Sequence, residues 1–153
     1  MDNGLTGLLG LARRAGKAEL GEESVATAIL CHKARVILLA SDAADNTRRN
    51  IGSLAGQGNA PVLALPLTKA ELGGALGRAA CAVVALTDMG LAAAAAEKLS
   101  RLDPQLYGDA AQALGSKAAK QDRRRREQRA REKARQAQGR KPWAAPPKEG
   151  RQT

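Results

Sequence analysis

The chain has 153 residues, with 25 Lys and Arg against 15 Asp and Glu and a formal net charge of +10. This length fits one ordinary domain with an appended segment, so we expect no multi-domain architecture. No apolar run reaches the roughly 18 residues that a membrane-spanning helix requires. The excess charge lies entirely in residues 117–153, which contain 14 Lys and Arg against 4 Asp and Glu. The first 116 residues carry 11 charges of each sign, so they are neutral overall.

Helix and strand signals alternate along the first hundred residues. In chain order, the pattern predicts a helix over 4–15, a short strand over 18–20, a helix beginning at Gly21, a strand over 35–40, a helix over 45–55, a strand over 61–65, a helix from Thr68 to Gly77, a strand over 81–86 and a helix from Asp88 to Leu102. The runs at 35–40 and 81–86 are continuously apolar, which is typical of strands that are covered on both faces. Strands separated by helices predict a helical layer on each side of a small central sheet.

The pattern ends after Leu102, where Asp103 and Pro104 break the helix. We therefore predict a domain over residues 1–104 and a linker over 105–116. Residues 117–153 are charged and rich in Ala and Gln, without an apolar stripe. Such a segment has no core to hold it, so we predict a largely disordered basic tail with some helical character.

The basic tail indicates a polyanionic partner, because each phosphate that it neutralises releases condensed counterions. RNA or DNA fits better than a membrane surface, since the tail has no apolar face to insert beside its charges. Met1 to Gly4 form no basic leader, and we expect the two cysteines to be reduced. These features predict a cytoplasmic protein that does not bind membranes.

The motifs that enzymes require are missing from the sequence. There is no glycine-rich phosphate loop ending in Gly-Lys-Ser/Thr, and the three Cys and His residues are fewer than the four ligands of a typical zinc site. Neighbouring helical side chains point about 100° apart, so Cys31 and His32 would not meet as nucleophile and base. Cys81 lies in an apolar strand and is interpreted as packing. We predict a non-enzymatic protein without catalytic residues, cofactor or metal.

Six short strings occur in an order and spacing that resemble a known family: residues 8–17, 21–23, 34–42, 61–62, 68–73 and 83–88. Over roughly residues 4–100 the chain resembles the kink-turn-binding ribosomal protein superfamily. This superfamily includes the archaeal large-subunit "seven-Ae" protein, the eukaryotic "thirty-e" protein and small bacterial members of the YlxQ type. The resemblance implies an α/β fold: a three-layer α-β-α sandwich around a small four-stranded mixed sheet.

The resemblance also implies an RNA-binding edge made by the loop after the first helix, the start of the second helix and the loop before the last strand. In this sequence these residues are Arg14, Gly16, Lys17, Gly21, Glu22, Glu23, Ser24, Thr27, Arg78, Ala79 and Ala80. Exposed N–H groups at a helix start favour phosphate or base acceptors, and the Lys and Arg could hold the RNA backbone on either side. In the tail, the predicted phosphate contacts are Arg123, Arg124, Arg125 and Arg126.

Strong RNA binders of the family carry Gly-x-Asn-Glu at the second helix, with a Lys three residues after the Glu. Glu23, Ser24 and Thr27 occupy those Asn, Glu and Lys positions here, so the sequence leaves open whether the RNA is a kink-turn. We predict a monomeric RNA-binding protein associated with ribosomal RNA or the ribosome, whose tail adds non-specific affinity. Two alternatives remain: a protein-interaction or ribosome-assembly module, and the RNA-binding subunit of a modification enzyme.

Overall fold

The computed structural model describes residues 4–58 and 60–144, and side chains as far as residue 138. Within this part of the chain, six helices and four strands follow in the order α1 (Leu5–Arg14), β1 (Ala18–Leu20), α2 (Glu22–Leu30), β2 (Val36–Leu39), α3 (Asp45–Gly58), β3 (Val62–Ala64), α4 (Lys69–Leu76), β4 (Val83–Leu86), α5 (Met89–Leu102) and α6 (Pro104–Ala144). In the described residues, no helix combines the length and the hydropathy that crossing a membrane requires.

The four strands form one mixed sheet in the order β1-β4-β2-β3. β4 pairs antiparallel with both β1 and β2, whereas β2 and β3 are parallel. The two central strands are therefore β4 and β2, the two continuous apolar runs of the sequence. The predicted small mixed sheet is confirmed.

Alternate side chains of the central strands belong to two separate cores. In β2, Val36 and Leu38 pack into the core shared with α1, α4 and α5, whereas Ile37 and Leu39 pack into the core shared with α2 and α3. This alternation follows from the two-residue repeat of a strand, whose successive side chains point to opposite faces of the sheet. The molecule is therefore an α-β-α sandwich, as predicted.

Side chains and glycine set the helix ends as the sequence indicates. The Thr68 hydroxyl accepts a hydrogen bond from the N–H of Glu71 (3.2 Å), and the Glu71 carboxylate accepts one from the N–H of Thr68 (2.9 Å). This reciprocal arrangement is a capping box, which satisfies donors that the first turn leaves free. Gly77 ends α4 with a φ of 78°, a left-handed conformation that glycine adopts without strain.

The structure corrects the predicted linker over residues 105–116, which forms the first turns of α6. Asp103 and Pro104 end α5, but they also start the next helix. The Asp103 carboxylate accepts a hydrogen bond from the N–H of Leu106 (3.2 Å), and proline fits the first helical position because it needs no N–H partner there. Tyr107 and Leu114 lie in the core, with 4% and 1% of their surface exposed. The compact unit consequently extends to residue 118 and not to 104.

The second unit begins at Ala119, and its described part is helical through Ala144. A partly helical tail was expected, but the helix is continuous where largely disordered chain was predicted. Ala, Gln, Arg, Lys and Glu all have high helix propensity, and an ion pair at 2.7 Å joins Asp122 to Arg126 one turn later. The predicted tail beyond residue 144 lies outside the described residues.

Candidate nucleic-acid interface

The loop after α1 holds Lys17 by its backbone on both sides. Gly16 has a φ of 73°, and the N–H of Lys17 donates to the carbonyl of Ala12 (2.8 Å), which is the Schellman arrangement at a helix end. The carbonyl of Lys17 accepts a hydrogen bond from the N–H of Thr87 (2.9 Å). The side chain itself is exposed. The fold therefore fixes the point from which the ammonium group extends.

The start of α2 depends on the unusual backbone of Gly21. Its φ of 90° and ψ of 159° lie in a region that is open essentially to glycine alone. Its N–H donates to the carbonyl of Val83 on the central strand (3.0 Å). Among the described residues, no side chain caps this helix, so the N–H groups of residues 22–24 lack a side-chain acceptor. Such a helix start carries partial positive charge and attracts anions.

Arg78 lies beside this helix start, although it is distant in sequence. A Cβ placed on Gly21 would stand 3.6 Å from Nη1 of Arg78, and a Cβ on Gly77 would stand 3.7 Å from Nη1 of Arg13. The N–H of Arg78 donates to the carbonyl of Gly73 (2.7 Å), which fixes the loop on α4. The fold therefore brings two guanidinium groups to the edge that contains the α2 start.

The two arginines at the end of α1 point in different directions. Nη1 of Arg14 would lie 3.5 Å from a Cβ on Gly10, so this side chain folds back along its own helix. Arg13, which is absent from the predicted set, extends towards the loop at Gly77 instead. Two adjacent arginines look equivalent in the sequence, and only the position of the α4–β4 loop distinguishes them.

Ala79 and Ala80 are exposed, as a contact loop would be. The position of this loop depends on Gly73 in α4. A Cβ on Gly73 would lie only 2.7 Å from Cα of Ala80, far inside van der Waals contact. The absence of a side chain at Gly73 therefore allows the loop to approach α4 and places Arg78 near α2.

Glu22 faces α3, where it has a structural role. Its Oε1 accepts a hydrogen bond from the Thr47 hydroxyl and its Oε2 accepts one from the Asn50 amide, both at 3.1 Å. Because both carboxylate oxygens have partners on α3, this side chain ties the two helices together. Of the predicted site residues, Glu22 is the one whose side chain the structure commits to a neighbouring helix.

Glu23, Ser24 and Thr27 lie together and line a surface pocket of about 320 Å³, whose other lining residues are Glu19, Ala28, Cys31 and Lys33. The Thr27 hydroxyl donates to the Glu23 carbonyl (3.1 Å), while its oxygen can still accept a hydrogen bond. Two carboxylates against one ammonium make the pocket rich in acceptors. Such a pocket suits a hydrogen-bond donor, for example the N–H groups of guanine, better than a phosphate. Sequence reasoning missed Lys33, which only the fold brings to this pocket.

The structure places the two cysteines in different settings. Cys81 is buried, and its S–H donates to the carbonyl of Val83 (3.2 Å). Cys31 is exposed at the pocket. Within residues 4–58 and 60–144, no group of three His, Cys, Asp or Glu side chains is arranged to hold a metal ion.

Residues 4–95 match the family model described as the ribosomal protein L7Ae/L30e/S12e/Gadd45 family. The chain belongs to this family. It is 38% identical over 85 residues to "RNA-binding protein YlxQ" of Bacillus subtilis (strain 168), which covers 56% of this chain and 84% of the relative. A solved structure of a protein with unknown function from Bacillus halodurans C is also similar, at a TM-score of 0.60 and 28% identity, over 64% of this chain and 98% of the other. The resemblance read from the sequence is confirmed.

The family match separates two parts of the predicted site. All the edge residues, from Arg14 to Ala80, lie inside the L7Ae-type region, whereas α6 lies beyond its last matched residue. The first turns of α6 are thus an addition to the matched L7Ae-type region. Tyr107 packs there, and its hydroxyl donates to the carbonyl of Ala64 on the edge strand β3.

The four predicted tail arginines do not share one surface in the helix. Arg123 to Arg126 are consecutive and exposed, and successive side chains of a helix point about 100° apart. Arg126 also pairs with Asp122, at 2.7 Å. A flat or rigid partner could therefore contact some of these arginines and not all four together.

Proposed function

We propose that this L7Ae-type protein binds structured RNA in the cytoplasm, with ribosomal RNA as the favoured class, through the edge formed by Lys17, the start of α2 and Arg78. The observation that carries the proposal is the proximity of the Arg78 guanidinium to Gly21, on which an added Cβ would stand 3.6 Å from Nη1. It joins a cation to a helix start that has no side-chain cap. The similar Bacillus subtilis protein, whose name describes RNA binding, supports the same assignment.

The edge offers two kinds of recognition that a bent or bulged RNA needs. Backbone N–H groups at the α2 start, together with Lys17 and Arg78, attract phosphate. The acceptor-rich pocket beside them, which contains Glu23, can accept hydrogen bonds from an unpaired base. Aromatic stacking contributes little, because the chain has no Phe, one Tyr and one Trp, and Tyr107 is buried.

The basic tail has a separate part in the proposal. Residues 117–153 contain 14 Lys and Arg against 4 acidic residues. Their contacts with phosphate would add affinity that depends on salt and little on base sequence. The domain edge would then supply the selectivity for RNA shape, and the tail would supply additional binding energy.

The test compares two single-charge variants in binding to a folded ribosomal RNA transcript. Arg78→Gln removes a cation from the edge. Arg101→Gln is the matched control, because it removes an exposed cation from the last turn of α5, where Arg101 pairs with Glu97. We expect Arg78→Gln to weaken binding and to lower the slope of log K against log[salt] by about 0.7–0.9, the value for one lost phosphate contact. We expect Arg101→Gln to leave both quantities unchanged. Equal effects of the two variants would contradict the assignment of the edge.

The kink-turn question has its own variant. Changing Glu23→Asn, Ser24→Glu and Thr27→Lys together gives the pattern found in strong RNA binders of the family. We expect this triple variant to bind a kink-turn hairpin more tightly than the natural sequence does, relative to a straight duplex. If the natural protein already binds the kink-turn hairpin as tightly as the triple variant, the departures at these three positions do not weaken kink-turn binding.

A role in protein assembly is the second candidate, and the pocket carries the observation that favours it. Glu19 and Glu23 line the pocket together, so they would repel a phosphate at short range. In that case the edge would contact a protein, and the tail would hold the complex near RNA. The Arg78→Gln variant would then bind ribosomal RNA as tightly as the natural chain does, which separates this candidate from the first.

A further inference from the structure

The helix over residues 119–138 arranges its cations in rows, which a disordered tail could not do. Each residue advances about 100° around the helix axis. Lys120, Arg124, Arg131 and Arg135 therefore fall within about 60° of one another and extend over about 22 Å along the axis. We call these four residues row A. All four are exposed.

A second row lies on the opposite side of the same helix. Arg126, Arg129 and Lys133 also fall within about 60°, centred about 180° from row A. We call these three residues row B, and Asp122 lies among them. The Asp122 carboxylate contacts Arg126 at 2.7 Å, so it neutralises part of the charge of row B. Row A has no acidic residue among its members.

The remaining acidic residues of this segment lie outside both rows. Glu127 stands about 20° beyond the Lys120 side of row A, and Glu132 stands about 60° from either row. Two cations also lie outside the rows: Arg125 stands about 40° from row B, and Arg123 stands about 60° from either row.

Each side of the helix therefore has four cations and one carboxylate, but the cations of row A fall within about 60°, whereas those of the other side spread over about 100° around Asp122. The two sides of the helix have equal net charge, but they differ in how closely their cations are grouped. They also differ in the ion pair between Asp122 and Arg126, since no residue of row A forms an ion pair within the described residues.

We propose that row A is an interface for the phosphate backbone of duplex RNA. The inference rests on the proposed function, because it assigns a surface and a partner to the RNA binding of the tail. A straight helix can place only one side against a rigid duplex, and the side whose four cations are grouped most closely and form no ion pair within the described residues is favoured. A flexible single strand could bend around the helix and contact both rows.

The composition of the helix also favours a duplex. Proteins that bind single strands usually combine a basic surface with aromatic side chains on which bases stack. Residues 119–138 contain no aromatic residue. Duplex RNA requires no such stacking, since proteins recognise it mainly through its shape, its phosphates and its 2′-hydroxyl groups.

The experiment uses the full chain and two triple variants that remove equal charge from the same stretch of helix. Arg124→Gln, Arg131→Gln and Arg135→Gln change row A, whereas Arg126→Gln, Arg129→Gln and Lys133→Gln change row B. Gln has nearly the helix propensity of Arg and Lys, so circular dichroism should show equal helix content. The probe is a blunt RNA duplex of about 20 base pairs, longer than the ~16 that one duplex-binding domain spans.

We expect the row A variant to lower the slope of log K against log[salt] by about 2–3, the value for three lost phosphate contacts. We expect the row B variant to lower it by less than about 1. On an unstructured oligouridine, the two variants should have equal effects. Equal slopes for the two variants on the duplex, or no duplex binding by the natural chain, would overturn the inference.

These outcomes are separate from those of the proposed function. If the rows prove equivalent while Arg78→Gln still weakens binding to the ribosomal transcript, the RNA-binding edge stands and row A fails. If the natural chain binds neither the transcript nor the duplex in dilute buffer, both proposals fail.

Discussion

Replacing Leu114 by Ala tests whether the first turns of α6 are part of the domain core. Leu114 is 1% exposed and belongs to the same core cluster as Leu5, Leu65 and Tyr107. Leu106 lies two turns earlier in the same helix and is 62% exposed. The substitution Leu106→Ala is therefore a control with the same chemistry in the same helix.

The expected difference follows from the buried area. Leu→Ala removes three carbon groups, and at about 0.8 kcal/mol for each buried CH₂ the transfer loss is about 2.4 kcal/mol. The cavity that remains raises the loss further, and buried Leu→Ala changes cost about 2–5 kcal/mol. We therefore expect Leu114→Ala to lower the free energy of unfolding by about 3 kcal/mol. Leu106→Ala should lower it by less than about 1 kcal/mol, because most of that side chain already contacts water.

Urea denaturation followed by circular dichroism measures both losses. A domain of this size has a total stability of about 5–15 kcal/mol, so the loss at Leu114 would be a large fraction of it. A chain that ends at Ala118 should keep the stability of the full domain, whereas one that ends at Pro104 should lose the contacts of Tyr107 and Leu114. Equal losses at Leu114 and Leu106, or equal stability of the two shortened chains, would show that α6 does not contribute to the core.

Three further predictions concern particular contacts. Burial, and secondarily the charge of Asp103, raises the pKa of Tyr107 above its ordinary value of 10.0, so the folded state holds this proton more tightly than the unfolded state. The contribution of this group to the free energy of unfolding is complete below pH 10.0 and is lost as the pH rises above it. Tyr107→Phe should therefore flatten the decline in a series of thermal melts at rising pH. The same variant removes the hydrogen bond to β3, which should cost about 0.5–1.5 kcal/mol at neutral pH. Gly73→Ala would place its Cβ 2.7 Å from Cα of Ala80, so we expect the free energy of unfolding to fall by about 1–3 kcal/mol. We also expect weaker binding to the ribosomal transcript, because the loop that contains Arg78 would shift. Unchanged binding would show that the position of this loop does not matter. Gly21→Ala would force a side chain into a backbone region of positive φ and cost about 1–3 kcal/mol, and a thermal melt that matches the natural protein would disprove that reasoning.

The fold was largely readable in the sequence because its main signals are local. The apolar runs around β2 and β4 predicted strands with two covered faces, and both strands are fully buried. Thr68, Gly77 and Asp88 marked helix ends through their own side chains or backbone, and the structure has caps at all three. Signals of this kind act over three or four residues, so they do not depend on the rest of the fold.

The sequence does not predict the first turns of α6, because one pair of residues carries two signals. Asp103 and Pro104 both end α5 and start α6, and the end of a helix is the more evident of the two signals. A second signal was present, since Tyr107, Ala110, Ala111 and Leu114 follow the spacing of one helix face. That signal is weak, because two of the four residues are alanines, whose small side chains offer little apolar surface.

The sequence by itself determined the order of helices and strands, the buried central strands, the concentration of charge in the tail and the family. These depend on short-range spacing and on composition. Tertiary structure alone decided that the Arg78 guanidinium lies near Gly21 and that Glu22 is held by α3. These pairs are far apart in the chain, and they meet only because the sheet order β1-β4-β2-β3 fixes how the helices pack. The physical reason is that a contact between distant residues requires the whole fold to position both partners.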